Sequence, residues 1–268
     1  MKQYHKVLTI AGTDSGGGAG IPADIKTISA CGCYAECVIT AVTAQNTLGV
    51  DAVHDIPPTI IKAQANAVFS DIGADAIKIG MLSNVDTVNA VADLLQNATT
   101  SNIVLDTVMV STSGHRLLSA DSIDALINNL MPKALLITPN IPEAEVLLGC
   151  KIDSQHQFDN CARQLSDIAG NSVLLKAGHL SNNDFYDVLY DASNNTTTHY
   201  PSKRIYTSNT HGTGCTLSSA IASFLALGHT LNDAVQHAET YLHSAIVNGA
   251  DYSIGHGHGP VKHFWNYW

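Results

Sequence analysis

The sequence predicts an α/β chain of three layers, an α/β/α sandwich around a mostly parallel sheet. Short apolar, β-branched runs recur along most of the chain, separated by segments of ten or more residues with helical apolar spacing. No linker, repeat or low-complexity stretch interrupts the alternation. Strands parted by such helices are parallel βαβ units with both sheet faces covered. A length of 268 residues, 45% hydrophobic and 13% charged, fits one domain over residues 1–268 with a large core.

The first strand is "KVLTIA" (6–11), ending in the glycine-rich "GTDSGGGAG". "IPADIKTISACG" follows as a helix, with Pro22 in its first turn and Gly32 past its end, the expected asymmetry of helix termini. "ECVITAVTA" (36–44) reads as a second strand, rich in β-branched residues. A helix from about 58 to 70 precedes "DAIKIG", and another from about 85 to 96 precedes "NIVLDTVM". One near 121–130 leads to "ALLITPN", and one near 157–169 leads to "SVLLKAG". "DVLYD" and "TTTHYPSKRIY" predict a late hairpin or edge addition, and helices at 215–227 and 231–248 close the fold.

A net charge of −10 argues against nucleic acid or an anionic membrane as the main partner. A phosphorylated substrate would need a local cation, a helix N-terminus or a bound metal ion. The apolar stretch in "MKQYHKVLTIAGTDS" is too short for a signal peptide, and no apolar run approaches membrane-spanning length. Six irregularly spaced cysteines fit a reducing cytoplasm. "CGCYAEC" lacks CxxC spacing and a completing pair, so Cys31, Cys33 and Cys37 read as small hydrophobes. "GHGHGPVKHF" offers His256, His258 and His263; the i, i+2 pair could bind zinc but has no obvious acidic or thiol third ligand, and a glycine-rich tail over the rim is the better reading.

Ligands of open parallel sheets bind beyond the carboxyl ends of the strands. That rule gathers Gly12 and Asp14, Gln45, Gly80 and Met81, Asp106 and Val108, Asn140 and Glu143, and Lys176 and Gly178 on one rim. The turn "NTHGTGC" joins them. The P-loop and dinucleotide fingerprints are both absent. In "NTHGTGC", glycines bring the backbone close to a ligand and aim N–H groups inward, and the helix start adds its unpaired donors and dipole: an anion hole. A plain tight turn is the alternative. Cys215 there has three readings: a thiolate favoured by the helix dipole and acting as base, a covalent nucleophile, or a small packing residue. Asp106 and Glu143 suit Mg²⁺ directly or through water, or serve as turn and helix caps. Lys176 ends a buried strand and needs an anionic partner, which a phosphate would supply.

Together "LTIAGTDSGGGAGIPADIKT", "ITAVTAQNTLGV", "KIGML", "VLDTVM", "LITPNIPEAEVLLG", "NTHGTGCTLSSAIA" and "GHGHGPVKHF" resemble the hydroxymethylpyrimidine/phosphomethylpyrimidine kinases of thiamine biosynthesis, over nearly the whole chain. The resemblance implies a ribokinase-like fold, commonly dimeric, with ATP as phosphoryl donor and Mg²⁺. It implies a pyrimidine pocket at Gly12, Asp24, Gln45, Met81 and Val108, where the Gln45 amide offers donor and acceptor to the ring edge. Gly212, Thr213 and Gly214 would form the anion hole and Cys215 the general base. Asp106 and Glu143 would act on Mg²⁺ and phosphate, Lys176 would lie by the transferring phosphates, and Asn140 and Thr210 would join them on the nucleotide side. The reaction implied is in-line transfer to the 5-hydroxymethyl group, then to the resulting monophosphate. A base matters less for the second acceptor, which is already an anion.

Pro22 stands where the family usually has glutamine in "GIQADLKT", removing a polar side chain near the pocket entrance; "DSGGGAG" for "DPSGGAG" looks neutral. A pyridoxal kinase of the same branch shares the Gly-x-Gly-Cys turn but tends to lose the glutamine matching Gln45. A non-catalytic pyrimidine-sensing module would be expected to have lost Cys215, Lys176 or Asp106, and all three are present.

Overall fold

A computed structural model describes residues 2–109, 118–178 and 184–268. The chain runs β1 (Lys6–Ala11), α1 (Gly20–Ala30), β2 (Tyr34–Ile39), β3 (Ala41–Gln45), β4 (Val50–Asp55), α2 (Pro58–Asp71) and β5 (Ala76–Ile79). Then come α3 (Val85–Leu94), β6 (Ile103–Leu105), α4 (Ala120–Ala125), β7 (Leu136–Ile137), α5 (Ile141–Leu148), α6 (Phe158–Ala169) and β8 (Ser172–Leu175). A hairpin of β9 (Asp184–Asp191) and β10 (Thr196–Lys203) precedes α7 (Thr213–Ala226) and α8 (Leu231–Gly249).

Eight strands form one sheet in the order β10-β9-β8-β7-β6-β5-β1-β2. Those from β8 to β2 pair in parallel, and β9 and β10 add an antiparallel edge, as expected of the late hairpin. The two faces are covered by different helices. Leu8, Ile10, Ile77, Ile79, Ile103, Leu105, Val173 and Leu175 pack with apolar residues of α2 to α6. Val7, Ala76, Val104, Leu136 and Leu174, the alternate positions, pack with α1, α7 and α8. Strand period two therefore turns Thr9 and Lys78, register partners on β1 and β5, toward α1 and α7.

Three expectations need correction. "ECVITAVTA" is not one strand: it breaks at Thr40, whose N–H bonds the Ala11 carbonyl. Beyond the break, β3 leaves the main sheet and pairs with β4 in a separate antiparallel hairpin. Gln45 thus ends a hairpin strand rather than a strand of the sheet. The helix near 121–130 is α-helical only to Ala125 and continues as a π-helical turn over Leu126–Leu130. The helix α5 went unread, although Asn140 and Glu143 form its capping box, Pro142 sits in its first turn and Gly149 closes it in the left-handed conformation. No helix among the described residues is long and apolar enough to cross a membrane.

Candidate active site

Residues just past the strand ends are fixed by the carbonyl of the neighbouring strand. Gly80 N–H donates to Ile10, Asp106 to Ile79, Thr138 to Leu105 and Lys176 to Pro139, at 2.9–3.0 Å. This extension of the ladder aligns Gly80, Asp106, Asn140 and Lys176 along one rim, as the sheet rule requires.

At its centre the Lys176 ammonium lies 3.0 Å from Asp106 Oδ1. The anionic partner of Lys176 is therefore a carboxylate of this chain, not only a bound phosphate. Thr138 Oγ1 donates to Asp106 Oδ1 at 3.1 Å and Ser218 Oγ to Oδ2 at 3.4 Å. Burial alone would raise the Asp106 carboxyl, but the Lys176 and Lys78 ammoniums hold it below the usual range. Glu143 Oε2 accepts from Asn140 N–H at 2.9 Å and Thr107 Oγ1 at 3.2 Å. Burial pushes the Glu143 carboxyl up to about 7 against the pull of Lys176, and Asp106 adds to the rise. Asn140 Oδ1 accepts from Glu143 N–H at 3.0 Å, so that side chain is engaged as a helix cap. Two neighbouring carboxylates, one of them held less acidic than usual by burial and by the other's charge, make a donor set that fits a divalent cation.

The turn before α7 leans on this group. Gly212 adopts φ +80° as N-cap and gives the first-turn N–H groups no side-chain cap. A Cβ there would overlap the Gly18 carbonyl, so only glycine lets the two glycine-rich segments meet this closely. A Cβ on Gly214 would stand 3.4 Å from Asp106 Oδ2 and 3.5 Å from Lys176 Nζ. The Gly212–Cys215 turn and the Lys176–Asp106 pair thus lie together. Thr213 N–H reaches the Thr210 carbonyl at 3.4 Å, a long bond. The loop "GTDSGGGAG" is filled from within. Asp14 occupies it, accepting from Gly16, Gly18 and Ala19 N–H at 2.7–3.0 Å.

The helix α7 starts at Thr213, which places Cys215 in its first turn. Gly20 N–H donates to Cys215 Sγ at 3.4 Å. The helix start is not the only influence on this thiol. Burial pushes the Cys215 thiol up to about 11; Lys78 opposes the rise, and Asp24 and Asp106 add to it. Asp24 is corrected here. It has no exposed surface, and its oxygens accept from Lys78 Nζ at 2.8 and 2.9 Å, Thr9 Oγ1 at 2.6 Å and Ser219 Oγ at 2.8 Å. A carboxylate with all four lone pairs engaged lies behind the pocket rather than in it.

Three other expected pocket residues, Gly12, Met81 and Gln45, lie on neighbouring segments. A Cβ on Gly12 would stand 2.6 Å from Met81 Cε, and Thr40 Oγ1 donates to the Met81 carbonyl at 3.2 Å. Thr13 N–H bonds the Ala41 carbonyl, Thr43 Oγ1 donates to the Thr13 carbonyl and Gln45 N–H to Ser15 Oγ, each at 2.8 Å, which brings the hairpin alongside. Val108 stands half-buried two residues past Asp106. His211 went unread: its Nε2 lies 2.8 Å from Asp14 Oδ2 and 3.4 Å from Gln45 Nε2. That bond and the amides of Gly16 and Ala19 keep the Asp14 carboxyl low against burial. The only signal was a histidine beside the glycine pair in "THGTG". The tail packs over this rim, with His258 N–H on the Thr47 carbonyl and His211 N–H on the Gly259 carbonyl, each at 3.0 Å.

The comparisons with known proteins agree with this fold. The sequence profile of the phosphomethylpyrimidine kinase family matches residues 14–262. Hydroxymethylpyrimidine/phosphomethylpyrimidine kinase of Rhizobium meliloti is 48% identical over 262 residues, 97% of each chain. The crystal structure of phosphomethylpyrimidine kinase from Clostridium difficile superposes with a TM-score of 0.80 at 43% identity, covering 90% of this chain and 99% of that one. An ADP complex of Bacillus subtilis pyridoxal kinase superposes with a TM-score of 0.89 at 33% identity, covering 97% and 98%.

Proposed function

Since the chain belongs to the phosphomethylpyrimidine kinase family and is a kinase, we propose that it phosphorylates hydroxymethylpyrimidine and then its monophosphate, with ATP as donor. The observation that carries this reading is the joining of Gly212–Cys215 to the Asp106–Lys176 pair, beside Gly12 and Met81, which approach each other, and the hairpin end at Gln45, whose N–H bonds Ser15. Gln45 reads the aminopyrimidine edge, and Met81 and Val108 give the ring apolar walls. The Gly212–Gly214 backbone and Lys176 hold the transferring phosphoryl group, with Thr210 and Asn140 flanking the nucleotide. Asp106 and Glu143 hold Mg²⁺ directly or through water; when bound, the ion neutralises charge on the phosphate oxygens. In the first transfer, Cys215 as thiolate takes the proton of the alcohol.

The same reading takes residues 1–268 as one kinase domain working in a reducing cytoplasm, consistent with the free cysteines among the described residues. It takes the protein as a homodimer, with exposed Val42, Leu48, Val50 and Val53 of the β3–β4 hairpin as candidate contacts. The likeness to pyridoxal kinases supports a second reading, in which pyridoxal is also accepted. Incubation with Mg-ATP and, separately, hydroxymethylpyrimidine, its monophosphate and pyridoxal, with products identified by mass, tests both substrate readings. The expected result is a monophosphate and a pyrophosphate from the pyrimidines. Absence of the pyrophosphate overturns the two-step claim.

A further inference from the structure

Lys78 is the one lysine of the described residues with no exposed surface whose ammonium lies under the catalytic turn, and the reaction outlined above gives it no task. Strand alternation sets it beside Thr9, facing α1 and α7. Both Asp24 oxygens bind it, and a Cβ on Gly80 would stand 2.7 Å from its Nζ, so the ammonium lies close to the strand end and the rim.

The contact between α1 and α7 has two rungs. Gly20 N–H meets Cys215 Sγ at 3.4 Å, and one turn further along each helix Ser219 Oγ meets Asp24 Oδ1 at 2.8 Å. Gly20 and Asp24 are four residues apart, and so are Cys215 and Ser219, so each pair lies on one helix face. The Lys78–Asp24 pair therefore anchors the lower rung, and the lower rung sets the register of the upper one. The charges facing Cys215 are Lys78 from β5, Asp24 from α1 and Asp106 just past β6; Lys176, just past β8, lies beside Gly214.

We infer that Lys78 is a positioning residue for Cys215: clamped by Asp24, its ammonium holds the sulfur in register and offsets the negative charge of the thiolate. This rests on Cys215 being the base. In the step it serves, the alcohol O–H bond breaks and its proton goes to Sγ. The alkoxide oxygen bonds the γ-phosphorus as the bond to the β-phosphate oxygen breaks, and ADP leaves. The thiol proton then returns to solvent. The second transfer, to a monophosphate oxygen, needs neither the thiolate nor Lys78.

The test compares Lys78→Met and Asp24→Asn with the parent enzyme, reading iodoacetamide alkylation of the Cys215 peptide by mass spectrometry and the rates of both phosphorylations. Alkylation follows the thiolate fraction, so Lys78→Met should slow it about tenfold and Asp24→Asn should speed it. Alcohol phosphorylation should fall with Lys78→Met through kcat rather than KM, and phosphorylation of the monophosphate should stay within about threefold. A role in packing alone moves both variants the same way, and that result overturns the inference. If either single variant does not fold, the charge-neutral double variant Lys78→Met/Asp24→Asn takes its place. Slower alkylation and selective loss of the alcohol step are expected of it; parallel loss of both steps counts against the inference. Cys215→Ala, run alongside, reports on the base reading separately: undiminished alcohol phosphorylation there removes that reading itself.

Discussion

Two lysine–aspartate pairs lie close together in this molecule and are built oppositely. In Lys78–Asp24 neither side chain has exposed surface, and Thr9 and Ser219 fill the remaining sites of the carboxylate. In Lys176–Asp106 the lysine is 12% exposed, the pair opens on the rim, and a helix start without a side-chain cap faces it. Closure makes the first a fixed charge that a substrate cannot reach. Openness lets the second exchange partners, because a buried charge pair tolerates rearrangement only where water or a ligand replaces what is lost. The same two residue types thus do different work, decided by what surrounds them.

The largest effect should come from breaking the closed pair. Lys78→Met leaves Asp24 buried and uncompensated, an expected loss of about 3–5 kcal/mol in denaturant unfolding. Lys176→Met should destabilise less, since the open rim admits water. A smaller loss for Lys78→Met than for Lys176→Met reverses the comparison. In activity the order inverts: Lys176→Met should lower both phosphorylations by about a hundred- to a thousandfold, as removal of a transition-state charge partner does. Ser219→Ala sharpens the contrast by removing one Asp24 partner without touching a charge, with about 1–3 kcal/mol of stability lost. Smallest is Asn140→Ala, which removes the α5 cap for about 1 kcal/mol and loosens Glu143 beside the open pair.

How much of this was legible in the sequence follows the range of each interaction. Strand and helix positions were readable because alternation and helical spacing are local. The break at Thr40 was not, because "ECVITAVTA" is β-prone throughout and only pairing with β4 separates its halves. The helix α5 was readable in principle, from Asn-x-x-Glu ahead of an apolar run, and was passed over. The rim residues were placed by the sheet rule alone. Lys78 resisted because a lysine in "DAIKIG" is ordinary until Asp24, 54 residues away, is seen to clamp it. The state of Cys215 resisted for a related reason: the sequence shows the helix start, but burial and two neighbouring carboxylates outweigh it. With the thiol pushed up to about 11, its alkylation in the free protein should rise about tenfold per pH unit from neutrality toward pH 10. A plateau near pH 7 contradicts that environment.

The central claim, that the thiol serves the acceptor which still carries a proton, is tested most directly by the ratio of two rates in Cys215→Ala. Single-turnover phosphorylation of hydroxymethylpyrimidine should fall about a hundredfold or more, the usual worth of a positioned base. Phosphorylation of its monophosphate, measured in the same preparation, should fall far less. Equal losses in the two steps would contradict the account.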